Sequence, residues 1–330
     1  MFNFKGKNVL VAGGTGMIGK LLVDLLLQEG AKIRIASLDH SSRAHPKAEF
    51  LQMDLTDYNN CLTCCKDIDY VFNLLCVKGS PAVTTVKPAS FFVTHLQFNT
   101  NLMEAARKSK AQGFLFTSSL AVYSPAEIFN EDDVWKTFPS ENDKFAGWAK
   151  RMGELQADAY RIEYGWKNLS VVRPANVYGP YDNFNLENSM VVPSLIKKAV
   201  DGQNPIRVWG DGSQIRDFIH AEDVARGILL VAQSGEERPI NIGSGIGYSI
   251  KQLIETIIKN INPAPEIVWE TDKPMGDKKR VLDTHRLQSL GFKLSIPLEE
   301  GIKNTMDWYQ QNKQNNNLRF DIFAAEAKKY

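Results

Sequence analysis

Residues Asn8 to Gln28 constrain this chain more than any other stretch. Asn8-Val9-Leu10-Val11-Ala12 is a short, mostly apolar run that stops at Gly13-Gly14-Thr15-Gly16-Met17-Ile18-Gly19. Leu21, Leu22, Leu25 and Leu26 then fall along one helical face. In such a strand–glycine loop–helix unit one glycine makes the tight turn. A second lets backbone approach a pyrophosphate, and a third lets helix pack on strand. The N–H groups of the first helical turn face the phosphates, helped by the helix dipole. A glycine triplet alone also serves as a plain tight connection. At the head of an alternating α/β chain it points to dinucleotide binding.

The alternation continues. Lys32–Ile35, Phe50–Met53, Tyr70–Leu75, Gly113–Thr117 and Ser170–Arg173 read as strands, and Phe91–Lys108 as a long helix carrying Asn99 and Asn101. This predicts an α/β fold with a Rossmann-type doubly wound parallel sheet, and a ligand crevice beyond the carboxyl ends of the strands. Gly13–Gly19, Leu74–Cys76 and Thr117–Ser119 converge there. Past Arg173 the alternation weakens. Segments near Val191–Lys198, Ile206–Trp209, Ala221–Ala232, Ile250–Asn260 and Leu298–Gln311 suggest a smaller mixed α/β lobe. The expected organisation is a dinucleotide domain over 1–175 with returning segments near 206–245, and a substrate lobe over 176–205 and 246–311. A polar linker and tail cover 312–330, with Leu318, Ile322 and Ala325 at helical spacing.

Composition narrows the partners. Lys plus Arg (39) balance Asp plus Glu (38), which argues against nucleic acid or an acidic membrane. Met1-Phe2-Asn3-Phe4-Lys5 runs into the first strand without a signal-peptide pattern, and no apolar run spans a bilayer, so the expected location is cytoplasmic. Cys61, Cys64 and Cys65 fall at i, i+3, i+4, the core stripe of a short helix. No second ligand pair follows Cys61-x-x-Cys64, and the five histidines lack ligand spacing, so no metal is expected. Near the end of the second strand stands Asp39, placed to hold an adenosine ribose; Arg43 close by suits a 2′-phosphate instead. The reading favours NAD over NADP.

Several motifs together resemble the extended short-chain dehydrogenase/reductase family that acts on nucleotide-linked sugars. They are the glycine triplet, Thr117-Ser118-Ser119-Leu120-Ala121-Val122-Tyr123, Lys150-Arg151-x-Gly153-Glu154, Arg173-Pro174-x-Asn176-Val177-Tyr178-Gly179-Pro180 and Gly210-x-Gly212-x-x-x-Arg216-Asp217-Phe218-x-His220. The resemblance runs from Val9 to about Trp308. Gly179 to Ser189 is similar to the GDP-fucose synthase branch, which implies a GDP-linked sugar substrate and a homodimer or homotetramer. It also implies that Gly13, Gly16, Met17, Ile18, Gly19, Asp39, Asp54, Leu55, Leu74, Cys76, Asn99, Thr117, Lys150, Pro174 and Val177 hold the cofactor. Ser119, Asn176, Val191, Leu195, Lys198, Trp209, Arg216 and Arg280 would contact substrate. Guanidinium forks suit phosphate oxygens, which gives Arg216 and Arg280 a physical reason to be there.

Three departures accompany the matches. The branch's epimerisation residues, a cysteine and a histidine, fall at Ala121 and Met190, which move no proton. The Asp-Glu pair of the family's 4,6-dehydratases is replaced by Leu120-Ala121. Hydride chemistry at C4 of the sugar remains. The catalytic set would be Ser119, Lys150 and a tyrosine four residues before Lys150, where this chain has Ala146. A phenol beside an ammonium takes the substrate hydroxyl proton as hydride leaves; alanine does not. Ala146 therefore reads as an introduced Tyr→Ala change. The resemblance implies an NAD-dependent C4 dehydrogenase, with a C4 reductase or C4 epimerase as alternatives. The rival from another class is an inactive dinucleotide-binding sensor or regulator.

Overall fold

The computed structural model describes residues 1–77, 85–273, 275–313 and Phe320. Its first half runs β1 (Asn8–Ala12), α1 (Met17–Gln28), β2 (Lys32–Ser37), β3 (Glu49–Gln52), α2 (Tyr58–Cys65), β4 (Tyr70–Asn73), α3 (Pro88–Lys108), β5 (Gly113–Thr117) and α4 (Lys144–Tyr164). Then come β6 (Asn168–Pro174), β7 (Asn176–Tyr178), α5 (Val191–Val200), β8 (Ile206–Trp209), β9 (Ile215–His220), α6 (Ala221–Ser234) and β10 (Ile240–Ile242). The chain closes with β11 (Gly247–Ser249), α7 (Ile250–Ile258), β12 (Ile267–Glu270), β13 (Lys279–Arg280), α8 (His285–Ser289) and α9 (Leu298–Asn312).

Seven strands pair in the order β10-β6-β5-β4-β1-β2-β3, every pair parallel. The strand order reverses between β1 and β4, the position where open α/β sheets receive their ligands. Side chains of β1 alternate between the sheet's two faces, as a pleated strand requires. Val9 and Val11 meet Leu22, Val23 and Leu26 of α1 and Val224 and Ile228 of α6. Leu10 and Ala12 meet the other layer, Phe98, Leu102 and Met103 of α3, Ala157 of α4, and Cys61, Cys64 and Cys65. Those cysteines are buried in the short helix α2, as their spacing predicts. Emptying one such position, as in Leu22→Ala, costs about 2–5 kcal/mol.

The remaining strands build two small sheets. β7, β9, β11 and β13 form one, with β9 at its centre, and β8 pairs with β12 in the other. A third apolar cluster lies under them, including Phe184, Leu195, Ile206, Val208, Leu253 and Ile302. Three segments differ from the expected division: β9, within the range expected to return near 206–245, instead centres the small sheet with β7, β11 and β13. β8 does not return to the large sheet, because Ile206 and Val208 alternate into the third cluster. Conversely, Leu282, Leu287 and Phe292 pack against the first cluster, so 246–311 is shared between the two bodies. α6 and β10 do return. Of the expected linker and tail, only Asn312, Lys313 and Phe320 lie within the described residues. No described helix is long and apolar enough to cross a membrane. Among the described residues no group of His, Cys, Asp and Glu side chains gathers as metal ligands would.

Candidate active site

The glycine loop lies at the carboxyl end of β1, at the sheet's switch point. α1 begins after Gly16 with no side-chain cap, leaving the first-turn N–H groups to an incoming acceptor. Gly13 adopts φ +82, and a Cβ there would sit 3.2 Å from the Leu74 carbonyl oxygen. A Cβ on Gly19 would run into the Gly13 carbonyl, so helix and strand approach only because that side chain is absent. Asp39 lies against this loop after β2. Its Oδ2 accepts from Thr15 Oγ1 (2.7 Å) and meets Arg43 Nε (3.3 Å), and its Oδ1 accepts the Phe320 backbone N–H (2.8 Å). Thr15, which also meets Ser37 Oγ at 2.7 Å, was not singled out by its sequence position. Asp54 is exposed and holds its own turn through Thr56, while Leu55 is buried beneath it.

At the ends of β4 and β5 the second group of expected residues assembles. Lys150 Nζ donates to the Thr117 carbonyl (2.8 Å) and the Leu75 carbonyl (3.4 Å). Burial lowers its pKa, opposed by the nearby Cys76 and Glu154. Asn99 accepts at Oδ1 from Asn73 Nδ2 (3.0 Å). Asn99 Nδ2 and Thr117 Oγ1 are buried without a hydrogen-bond partner among the described residues. Such orphaned groups at the ends of β4 and β5, together with the uncapped start of α1 after β1, fit a polar ligand lying across the switch point. Ser119 accepts the Ala121 N–H (3.1 Å) and starts a short 3₁₀ turn, Leu120–Val122. That turn is held by α4, since Arg151 Nε and Nη2 donate to the Val122 carbonyl at 3.0 and 2.7 Å. Ala146 lies on the same helix, packed against the second cluster.

Beneath this helix runs a closed ionic network. Arg173 donates Nε and Nη2 to the two oxygens of Glu154 (2.9 and 2.7 Å), and Ser118 Oγ bonds Glu154 Oε1. The pair is 1% and 2% exposed. Arg173 Nη1 reaches Tyr123 Oη (3.0 Å) and the Glu131 carbonyl (2.9 Å), and Tyr123 donates to Asn241 Oδ1 (2.6 Å). Each strong donor and acceptor has a fixed partner, so this network shapes β5, β6 and α4 and has no group to spare for a ligand.

The substrate-side residues divide. Arg216 of β9 and Arg280 of β13 are register partners, placing two guanidinium groups side by side. Arg280 is held by Asp143 (2.5 Å) and Asp277 (2.6 and 3.0 Å). Arg216 bonds only backbone oxygens, Ile215 (2.8 Å) and Met275 (3.5 Å), and meets no carboxylate among the described residues. Burial and then Arg280 bring the Arg216 pKa down to about 10, so it stays charged. Asp277 and Asp143 act on Arg216 only from beyond contact distance, so a half-buried guanidinium without a bonded carboxylate stands beside a second guanidinium, an arrangement with room for an anion. Asn176 donates to the Asp217 carbonyl (2.9 Å), and Val177 packs on the first cluster next to Pro174 at the end of β6. Lys198 donates to the Arg207 carbonyl (2.8 Å), its pKa lowered by burial. Trp209 is 46% exposed, and Val191 opens α5. Leu195 is 2% exposed inside the lobe's core, which serves packing more directly than contact. Sequence reasoning missed Asp143 and Asp277. The i, i+3 spacing of Asp277 and Arg280 hints at one, but Asp143 comes from a distant segment and left no local signal.

Residues 9–243 match the NAD dependent epimerase/dehydratase family. The chain belongs to this family. It takes a nicotinamide dinucleotide, and the loop, the switch-point residues and Lys150 fit one. Over 322 residues it is 32% identical to a probable GDP-L-fucose synthase 1 of Oryza sativa subsp. japonica, covering 93% of each chain. It is 28% identical over 323 residues to a dTDP-4-dehydro-6-deoxy-D-allose reductase of a Streptomyces species, covering 94% of this chain and 98% of that one. A similar solved structure is UDP-glucose 4-epimerase with UDP-glucose from Thermotoga maritima. Its TM-score is 0.84 at 26% identity, over 93% of this chain and all of that one.

Proposed function

We propose that the chain is an NAD-dependent oxidoreductase acting at C4 of a GDP-linked sugar, in the direction of a dehydrogenase. The observation that carries this reading is the Arg216–Arg280 pair, two guanidinium groups side by side of which Arg216 bonds backbone oxygens and contacts no carboxylate among the described residues, an arrangement that suits a diphosphate. Asp143, in contact with Arg280, is seven residues before Lys150 on or at the edge of α4. At 1.5 Å per residue that is roughly 10 Å along the helix axis, a gap within the reach of a sugar together with its diphosphate. The diphosphate would rest on the arginines and the sugar would extend toward Ser119 and Lys150. The cofactor supplies the hydride acceptor. Ser119 would orient the C4 oxygen, and Lys150 would anchor the nicotinamide ribose and lower the pKa of a neighbouring phenol.

Ala121 and Met190 support a reaction without epimerisation at C3 or C5, because neither side chain carries a titratable group. Such a GDP-fucose-synthase-like frame fits the GDP-mannoheptose 4-dehydrogenase of bacterial capsule synthesis; C4 reduction and C4 epimerisation are the nearest alternatives. Ala146 favours a second reading, a binding protein without turnover. The intact Ser118–Glu154–Arg173 network and Lys150 weigh for an enzyme whose tyrosine has been replaced. Titration calorimetry with GDP- and UDP-sugars tests the binding half. GDP-sugars are expected to bind tighter, and Arg216→Ala to weaken them roughly ten- to a hundredfold. Unchanged affinity in Arg216→Ala sinks the placement.

A further inference from the structure

Arg280 is not a free cation. Asp143 holds its Nη1 at 2.5 Å, and Asp277 holds Nε and Nη2 at 3.0 and 2.6 Å. Asp277 also accepts from Ser140 Oγ (2.8 Å) and Asn142 Nδ2 (2.6 Å), so it is fastened to the 3₁₀ turn Glu141–Asp143. Among the described residues Asp143 has no such second duty. It sits at the start of α4 without capping it, and its carboxylate faces Arg280, Asp277 and Arg216. With two carboxylates already on the pair, a doubly charged diphosphate would bring four negative charges to two guanidinium groups. One carboxylate has to yield. Among the described residues Asp277 keeps two donors besides Arg280, Ser140 and Asn142, whereas Asp143 is bonded by Arg280 alone.

We propose that Asp143 is a built-in competitor for the diphosphate, a positioning residue that parks Arg280 at the start of the catalytic helix and surrenders it when the nucleotide sugar binds. This deepens the proposed function and rests on it. Arg280 is then handed from one anion to another, and the empty site avoids two adjacent uncompensated cations. The start of α4, which carries Ala146 and Lys150, feels the exchange directly. Burial raises the pKa of Asp143, and Asp277 adds to this against Arg280 and Arg216. Glu141 and Lys144 on the same segment pair with each other at 3.2 Å. A protonated Asp143 lets go of Arg280, so lower pH favours the exchanged state.

The test is calorimetric titration of the full chain with GDP-mannose and UDP-glucose. Both are diphosphate diesters that keep two charges from about pH 8 to about pH 5.5, so a pH dependence belongs to the protein. Asp143→Asn removes the competing charge at constant shape and should tighten binding about fivefold or more at about pH 8. Asp143→Glu restores the charge and should return affinity to within about twofold of the unaltered chain. The unaltered chain should bind more tightly as pH falls, and Asp143→Asn should be flat. An Asn variant that binds equally or more weakly overturns the proposal, because Asp143 then merely orients Arg280. If the unaltered chain binds neither sugar, or Arg216→Ala changes nothing, the proposed function falls with it. Binding through Arg216 without an Asp143 effect removes this inference alone.

Discussion

Two arginine–carboxylate sets act on helix α4 from different sides, and they differ in how their charges balance. Under the helix, Arg173 and Glu154 form a bidentate pair, 1% and 2% exposed, with the remaining donors and acceptors met by Ser118, Tyr123 and Glu131. At its start, Arg280 shares Asp143 and Asp277 while its neighbour Arg216 rests, among the described residues, on backbone oxygens alone. A buried pair with every group satisfied is a structural fixture, whose worth shows only when one half is lost. A mismatched pair leaves one guanidinium without a bonded carboxylate, which is what the proposed diphosphate would complete. The same side-chain chemistry therefore gives rigidity in one place and, on the proposed function, recognition in the other.

The sharpest way to break that comparison is to remove a partner from the closed set. Arg173→Ala leaves Glu154 buried beside Ser118 and should cost about 3–5 kcal/mol, read as a lowered midpoint in urea. A loss below about 1 kcal/mol would mean that water already reaches the network. Between the two sets on the same helix stands Ala146. Ala146→Tyr should put a phenol near Lys150 and raise single-turnover reduction of the nicotinamide by at least about 10²-fold at saturating substrate. Equal rates would mean that another base acts, or that this crevice never ran the reaction.

How legible these features were follows from where their signals lie. The glycine loop, β1 and α1 announce themselves within Asn8–Gln28, because loop geometry and helix packing act on adjacent residues. The large sheet follows from apolar runs at regular spacing. β8 misled because Ile206 and Val208 alternate in either sheet, and only its partner β12 decides. The region around Leu282–Phe292 misled because short helices on the large core carry no length signal. Arg216 and Arg280 were visible through the resemblance. The carboxylates that discriminate between them were not, since Asp143 meets Arg280 only through tertiary folding.

A milder perturbation addresses the closed side by pH. His95 is buried, its Nδ1 donating to the Phe91 carbonyl at 2.8 Å, and burial followed by Lys150 brings its pKa down to about 3. The unfolded histidine takes its proton near pH 6.5, so the folded state binds fewer protons below that value. Stability from a neutral His95 is complete above about pH 6.5 and is lost as pH falls toward about 3. Between about pH 7 and about pH 5 the loss should be about 2 kcal/mol. His95→Phe keeps the aromatic packing with Phe91 and Phe98 and should flatten this part of the profile in urea melts at each pH.

The finest test asks what kind of receptivity the open set has. Arg216→Lys keeps one positive charge beside Arg280 and removes the planar fork. A lysine ammonium is a point charge that cannot hold the Ile215 carbonyl and offer two parallel N–H groups to a diphosphate at once. Long-range attraction survives, so the on-rate should change little, and the loss should fall on the off-rate. The expected cost is about 1 kcal/mol, or roughly fivefold in affinity for GDP-mannose, smaller than for Arg216→Ala. Affinity equal to the unaltered chain would make Arg216 a plain charge sink, and the contrast with Arg173 would reduce to net charge. A loss as large as that of Arg216→Ala would show that geometry carries the site, as it carries the Arg173–Glu154 pair. The two sets would then differ only in who supplies the second carboxylate-like partner, the protein under the helix or the ligand at its start.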